Sequence, residues 1–203
     1  QTKVPLEDLY QWISDNLSEN EPKSELNIKS LTYCVTIRDE DTVRDKDIRL
    51  EDCEDCYIYL DSPVHSVLVS NCTNCTIMIA ACELACTVDK CEKTQVSVAS
   101  NFIRVGNSID CTICLYSGVN MPILYGDNKN VILGPHNVGY SSLNDHLKEA
   151  KIQVHTNYVK NFTKPILANG DKMTYSILEE SEFFKLAMPK SFKDFILLVT
   201  PQN

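Results

Sequence analysis

Residues 52–60 read DCEDCYIYL, residues 71–79 read NCTNCTIMI and residues 90–98 read KCEKTQVSV. Two further stretches keep the pattern: NSIDCTICL at 107–115 and GDNKNVILG at 126–134. Anchored on Ile58, Ile77, Val96, Ile113 and Ile132, the unit recurs after 19, 19, 17 and 19 residues. Leu60, Ile79, Val98, Leu115 and Gly134 then take the next inward position, because alternate side chains of a strand share a face. Each unit holds a second strand: Ser66–Val69, Ala85–Val88, Phe102–Val105 and Pro122–Tyr125. Val67, Cys86, Ile103 and Ile123 are read as one inward column, and Val69, Val88, Val105 and Tyr125 as another. Short β-branched strands at a fixed period predict an all-β parallel β-helix of about 19 residues per coil. Each coil cannot bury its own apolar side, and stacking at ~4.8 Å turns like residues into continuous columns. No helix-length pattern interrupts 50–134, which argues against a βαβ layout.

Outward from the repeat the pattern changes. In PLEDLYQWISDNLS, residues 5–18, Leu6, Leu9, Trp12, Ile13 and Leu17 stand at helical spacing, with Pro5 suited to a first turn. The polar run 18–27 reads as a linker, and 30–37 and 47–50 as strands of a first coil. After 134 the repeat fades. Residues 141–150 read as a short helix with a serine cap, 173–178 as a strand, 180–186 as a helical turn and 195–200 as an apolar strand. The expected organisation is therefore an N-terminal helix and linker over 1–27, the β-helix over 28–140, and a mixed α/β extension over 141–203 packed on the β-helix.

The 203 residues suffice for one domain with a core. Acids exceed bases by 28 to 19, giving a net charge of −9. That balance lacks the basic footprint of a nucleic-acid binder and is wrong for an anionic membrane surface. No apolar run approaches the ~20 residues that span a bilayer, so no direct membrane insertion is expected. The chain begins at Gln1 rather than Met, which is expected of a fragment or processed product.

Ten cysteines sit inside apolar runs of a chain rich in Val, Ile and Leu, and read as buried free thiols of a reducing compartment. Cys53/Cys56 and Cys72/Cys75 have the spacing of a four-cysteine zinc ribbon. The repeat offers a different explanation. Cys53, Cys72, Cys91 and Ser108 fill one register, and Cys56, Cys75, Thr94, Cys111 and Asn130 another. Exchange with Ser, Thr and Asn suits a turn ladder and not a metal site, so no metal and no cofactor is expected. The third pair, Cys111/Cys114, is out of that register. The histidines at 65, 136, 146 and 155 lie at or beyond unit ends, with none placed against a cysteine. None of the six glycines makes a phosphate-cradling loop. A carbohydrate-active β-helix would carry acids on outward strand positions, and here those positions are mostly apolar or small. The outward column reads Leu68, Thr87, Arg104, Leu124. Phe102 points the same way as Arg104, so Phe102, Arg104, Leu124 and Leu68 form the candidate protein-binding patch. A terminal segment covering this patch is the alternative reading.

Over roughly 45–140, the strand pattern around DCxDC-x-I-x-L and the stretch Val98–Cys111 resemble the C-CAP/cofactor C-like domain family, the TBCC family. Gly134-Pro135 followed by Tyr140, Leu143, Asp145-His146-Leu147, Asn157-Tyr158, Glu182-Phe-Phe and Met188-Pro189 is similar to the centrosomal branch of that family. The resemblance implies a right-handed parallel β-helix. In the family's GTPase-activating members, a Gln-x-Arg motif supplies an arginine finger, a fixed charge set in trans on developing phosphate charge. Arg104 occupies the Arg position, and Phe102, which cannot hydrogen-bond, the Gln position. The centrosomal branch is implied to lack the finger and to act as a scaffold.

The expected function is thus a non-enzymatic cytoskeletal adaptor at the centrosome, basal body or flagellum, in the cytoplasm and on the cytoskeleton. It would bind protein partners such as an Arf-like GTPase, tubulin or basal-body proteins. The first alternative is a GTPase-activating protein in trans, for an Arf-like GTPase or tubulin, with Arg104 as finger. The second is an actin-binding module like that of cyclase-associated protein.

Overall fold

The computed structural model describes residues 23–168 and 175–189. The helix expected at 5–18 and the strand expected at 195–200 lie outside the described residues. Strands β1 (Glu25–Lys29), β2 (Val35–Arg38), β3 (Asp47–Glu51), β4 (Tyr57–Val64) and β5 (Ser66–Ser70) lead into two long ones, β6 (Thr76–Asp89) and β7 (Gln95–Gly106). They are followed by β8 (Thr112–Tyr116), β9 (Ile123–Tyr125), β10 (Val131–Pro135) and β11 (Val138–Gly139). Paired strands run parallel, and the chain winds into a β-solenoid of about six turns with roughly 19 residues per turn.

Each turn has two long sides and a short one. Face A holds β2, β4, β8, β10 and the first halves of β6 and β7. Face B holds β1, β3, β5, β9 and the second halves of β6 and β7. Between the faces β6 and β7 bend through a corner, where their register shifts between Ile79 and Ala85. The short side is one bridge wide: Thr32, Glu54, Thr73, Glu92, Ile109 and Lys129 stack in line.

The interior is the set of columns that the period demands. Ile58, Ile77, Val96, Ile113 and Leu133 stack from face A. Ile28, Leu50, Val69, Val88, Val105 and Leu124 stack from face B. All belong to one buried cluster, and each such side chain contributes roughly 1.5–3 kcal/mol of burial.

The short side closes through backbone conformation and thiols. Asp52 and Asp55, Asn71 and Asn74, Lys90 and Lys93, and Asn107 and Asp110 all sit at φ near +50°. Asn and Asp tolerate that left-handed region better than other side-chain-bearing residues. Each pair brackets a cysteine or serine and is followed by a cysteine or threonine. There the side chain donates to the carbonyl two residues back: Cys72 Sγ to Ser70 O at 3.4 Å, Cys75 Sγ to Thr73 O at 3.3 Å, Thr94 Oγ1 to Glu92 O at 3.0 Å, Ser108 Oγ to Gly106 O at 2.7 Å. A hydroxyl and a thiol do the same work at the same place, which is why they exchange along the ladder.

The last full coil departs from the sequence reading. Ile113 pairs in line with Leu133, not Ile132, and Arg104 with Ile123 rather than one residue later. A one-residue slip reverses every side chain. Leu124 therefore points inward and is fully buried, Leu133 takes the inner column, and Ile123, Tyr125 and Ile132 face out. The extra residue of this coil falls after β9, in the turn 126–131, where the spacing had placed it before. Gly126 carries the left-handed corner at φ +65°. Asn128 stands in the cysteine position and donates to both Val105 O and Tyr125 O, at 3.1 and 3.0 Å. Val131, not Asn130, ends the second thiol register.

The solenoid also extends past the repeat at both ends. β1 begins inside the polar run read as a linker, at Glu25, and ends beyond it, at Lys29. Beyond 140, β12 (Ile166–Leu167) continues face B on β9, and β13 (Tyr175–Ile177) continues face A on β10. Two short helices flank the coils: α1 (Glu40–Val43), capped by Asp39, and α2 (Leu143–Glu149), where Ser142 takes the cap position without a side-chain cap bond. A last strand, β14 (Leu186–Ala187), pairs with β11.

Candidate functional site

The two long faces differ outside. On face A, Tyr59, Met78 and Ala80 pack beneath Val138, Tyr140, Leu186 and Met188. At the corner, Ala81 and Ala99 meet Leu147, Ala150 and Ile152. Polar bonds lace this cover down. Asn101 Nδ2 donates to Ala150 O at 3.1 Å, Tyr116 Oη to Gln153 O at 2.8 Å, and Asn161 Nδ2 to Gly118 O at 2.7 Å. Among the described residues, then, the C-terminal extension lies on face A and the corner, and the outer side of face B stays open.

Face B carries an open groove of about 540 Å³ whose lining includes Arg49, Leu68, Leu84, Thr87, Arg104 and Tyr125. Three columns make its surface. The middle one runs Asn27, Arg49, Leu68, Thr87, Arg104, Ile123 and Ile166. Phe102 sits in the column beside it, 45% exposed, next to Leu84 at 48%. Lone exposed apolar side chains are ordinary, but an aromatic and leucines grouped around an arginine are what interface centres are made of.

The charges of the groove are mostly spent within it. Arg49 pairs with Glu25 at 2.8 Å and with Glu51 at 3.7 Å. Asp47 accepts from His65 Nδ1 at 2.8 Å and from Ser66 Oγ. Asp89 accepts from Asn107 Nδ2 at 2.8 Å and from Tyr125 Oη at 3.0 Å. Arg104 has no ion pair among the described residues. Its guanidinium carbon stands 5.4 Å from the centre of the Tyr125 ring, inside the range of a cation–π contact. Burial and the neighbouring Asp89 carboxylate push the Tyr125 hydroxyl up to about 12, so it stays protonated as a donor.

Of the patch read from the sequence, Leu68, Phe102 and Arg104 lie on face B as expected, and Leu124 does not. Its outward place belongs to Ile123. Leu84 escaped the strand pattern because it lies at the bend of β6, and Tyr125, read from the sequence as inward, lies in the outward column of Gly106. Tyr125 left one trace: Gly106, where neighbouring coils have Ser70 and Asp89, is a vacancy that an aromatic of the next coil can fill. Among the described residues no three His, Cys, Asp or Glu side chains converge as metal ligands, and no helix is long and apolar enough to cross a membrane.

The tubulin binding cofactor C family model matches residues 45–164, the coils that build both faces. TBCC domain-containing protein 1 of Danio rerio is 29% identical over 174 residues, covering 83% of this chain and 29% of that protein. The protein of the same name from Xenopus tropicalis is 26% identical over 156 residues, 77% of this chain and 27% of its own. The one from Homo sapiens is 22% identical over 165 residues, 81% and 29% respectively. The chain thus spans less than a third of the length of these curated relatives.

Proposed function

This chain belongs to the tubulin binding cofactor C family, and on that premise we propose that it is a non-enzymatic cytoskeletal adaptor that holds a protein partner on face B. The observation that carries the reading is Phe102 and Leu84, exposed among the described residues beside an arginine that makes no ion pair among them. An apolar centre supplies affinity, and the Arg104 cation supplies orientation. Work in centrosome, basal-body or flagellar organisation, on the cytoskeleton within the cytoplasm, is the setting that the tail from Gly134 to Pro189 favours. Tubulin, an Arf-like GTPase and basal-body proteins are the partners to try first. Binding of each to the purified chain is compared with its Phe102→Ala and Leu84→Ala forms. A true partner loses about tenfold or more with Phe102→Ala, while unchanged binding with both variants removes face B from consideration.

A second reading has its own support: the resemblance gives Arg104 the position of the family's arginine finger, and among the described residues it makes no ion pair. Single-turnover GTP hydrolysis by a bound GTPase separates the two. A finger loses about 10³–10⁵ in stimulated rate with Arg104→Ala while binding persists. An adaptor shows no stimulation to lose. Phe102 in place of the motif Gln favours the adaptor, because a phenyl ring cannot orient a water or a nucleotide.

A further inference from the structure

We infer that Tyr125 is the positioning residue for Arg104, and that Gly106, Asp89 and Asn107 together hold Tyr125 in place. Gly106, Asp89 and Tyr125 occupy one outward column in three successive coils. Tyr125 does not stand up from its own coil. Its ring lies down across Gly106, so closely that a Cβ there would come within 2.3 Å of the ring carbons. Its hydroxyl reaches past that coil to Asp89 in the next one, 3.0 Å away. Asn107 donates to the same carboxylate oxygen and keeps it in register.

Arg104 shares the strand and the face of Gly106, two residues earlier. The ring that fills the place of the missing side chain at 106 therefore flanks Arg104. Two consequences follow. The ring and hydroxyl of Tyr125 together hold the guanidinium, 5.4 Å over the ring and within the electrostatic reach of the hydroxyl, while its five N–H donors exceed what one tyrosine can engage and leave some for a partner. The Asp89 carboxylate, the acid of the adjacent column one coil away, is occupied by Tyr125 and Asn107 instead of Arg104. The same ring orients the cation and shares the acid that would otherwise compete for it.

This assignment rests on the reading that Arg104 meets the partner, and two measurements keep the claims apart. The first needs no partner: the Nε–H signal of Arg104 is followed by NMR in the whole chain, assigned by its loss in Arg104→Lys. The ring current of Tyr125 displaces that signal. In Tyr125→Leu the displacement is lost and the side chain becomes mobile. Tyr125→Phe, which keeps the ring and loses the Asp89 anchor, falls between. Backbone amide spectra away from the site check that each variant is folded. An Arg104 signal equally displaced and equally rigid in Tyr125→Leu overturns the assignment. The second is a double-mutant cycle on partner binding. Tyr125→Leu weakens binding about two- to fivefold alone and not at all in an Arg104→Ala background. If the NMR effect is present while Arg104→Ala leaves binding untouched, Tyr125 still positions Arg104 and it is the partner reading that fails. An equal loss from Tyr125→Leu in both backgrounds makes Tyr125 a contact of its own and rejects the positioning role.

Discussion

At the short side of every inner coil, two residues in the left-handed region turn the chain, and a thiol or hydroxyl satisfies the carbonyl that the turn exposes. Cysteine serves because it is small, tolerates complete burial and still donates. Within the ladder, hydrogen bonds from Cys72 lower the pKa of Cys53, Cys75 and Cys91, but their burial withholds them from reagents. Nine of the ten are buried and only Cys34, on the first coil, is partly open. Burial pushes Cys82 up to about 12, and Cys111 and Cys114 up to about 11, which keeps them protonated at neutral pH. The expected outcome with a chromogenic disulfide reagent at pH 8 is one fast-reacting thiol in the native chain. Ten react after denaturation, and Cys34→Ser removes the fast one. Several fast thiols in the native state would mean that the ladder opens readily.

The element that decides the outer surface is the pair β9 and β10 with the turn between them. Leu124 enters the column of Leu50, Val69, Val88 and Val105, while Ile123, one residue away, lies beside Arg104 on the open face. The two positions therefore separate stability from binding. Leu124→Ala is expected to cost about 2–4 kcal/mol in urea unfolding under reducing conditions, as for a filled core site. Ile123→Ala stays within about 0.5 kcal/mol and shows its effect in partner binding instead. The reverse order would mean that the coil pairs as the sequence columns had it, with Leu124 in line with Arg104. Gly106, at the end of β7, supports the same pairing from the neighbouring coil: any side chain there meets the Tyr125 ring.

At the scale of the molecule, the described residues of the extension are one-sided. They cover face A and the corner, and hold the half-buried His136 ring, its Nε2 atom inaccessible, beside Leu115, Leu147 and Val159 in a small apolar cavity of about 230 Å³. The Nε2 atom has no hydrogen-bond partner there, and burial lowers the ring's pKa from 6.5 to about 4. Above pH 6.5 the ring is neutral in both folded and unfolded chains, and the full stability is present. As pH falls from 6.5 towards 4, the unfolded chain takes up a proton that the folded chain refuses, and stability drains away. The expected loss at pH 5 is about 2 kcal/mol from this residue. Urea midpoints at pH 7.5 and pH 5 measure it, and His136→Asn should flatten the difference by that amount. An unchanged pH dependence in the variant would place the ring in contact with water.

Much of the fold was legible because a solenoid repeats its instructions. The Asp and Asn corners, the cysteine ladder and the aliphatic columns each recur in the residues themselves, and coil after coil confirms the same alternation. Phe102, Arg104 and Leu68 were legible on those grounds, and their shared face is where the structure puts them. The sequence could not say on which side of β9 the irregular coil stores its extra residue, because both placements keep an apolar residue at every inner position. That choice belongs to contacts between coils: Asn128 bridging two carbonyls, Leu124 filling its column and Tyr125 lying on Gly106. Which face the extension would leave open was likewise settled only by packing, since apolar residues outside the repeat say that they must be covered and not by what. The guanidinium of Arg104 stands where these two tertiary decisions meet, on the face that the described residues leave open and beside the ring that the register turns outward.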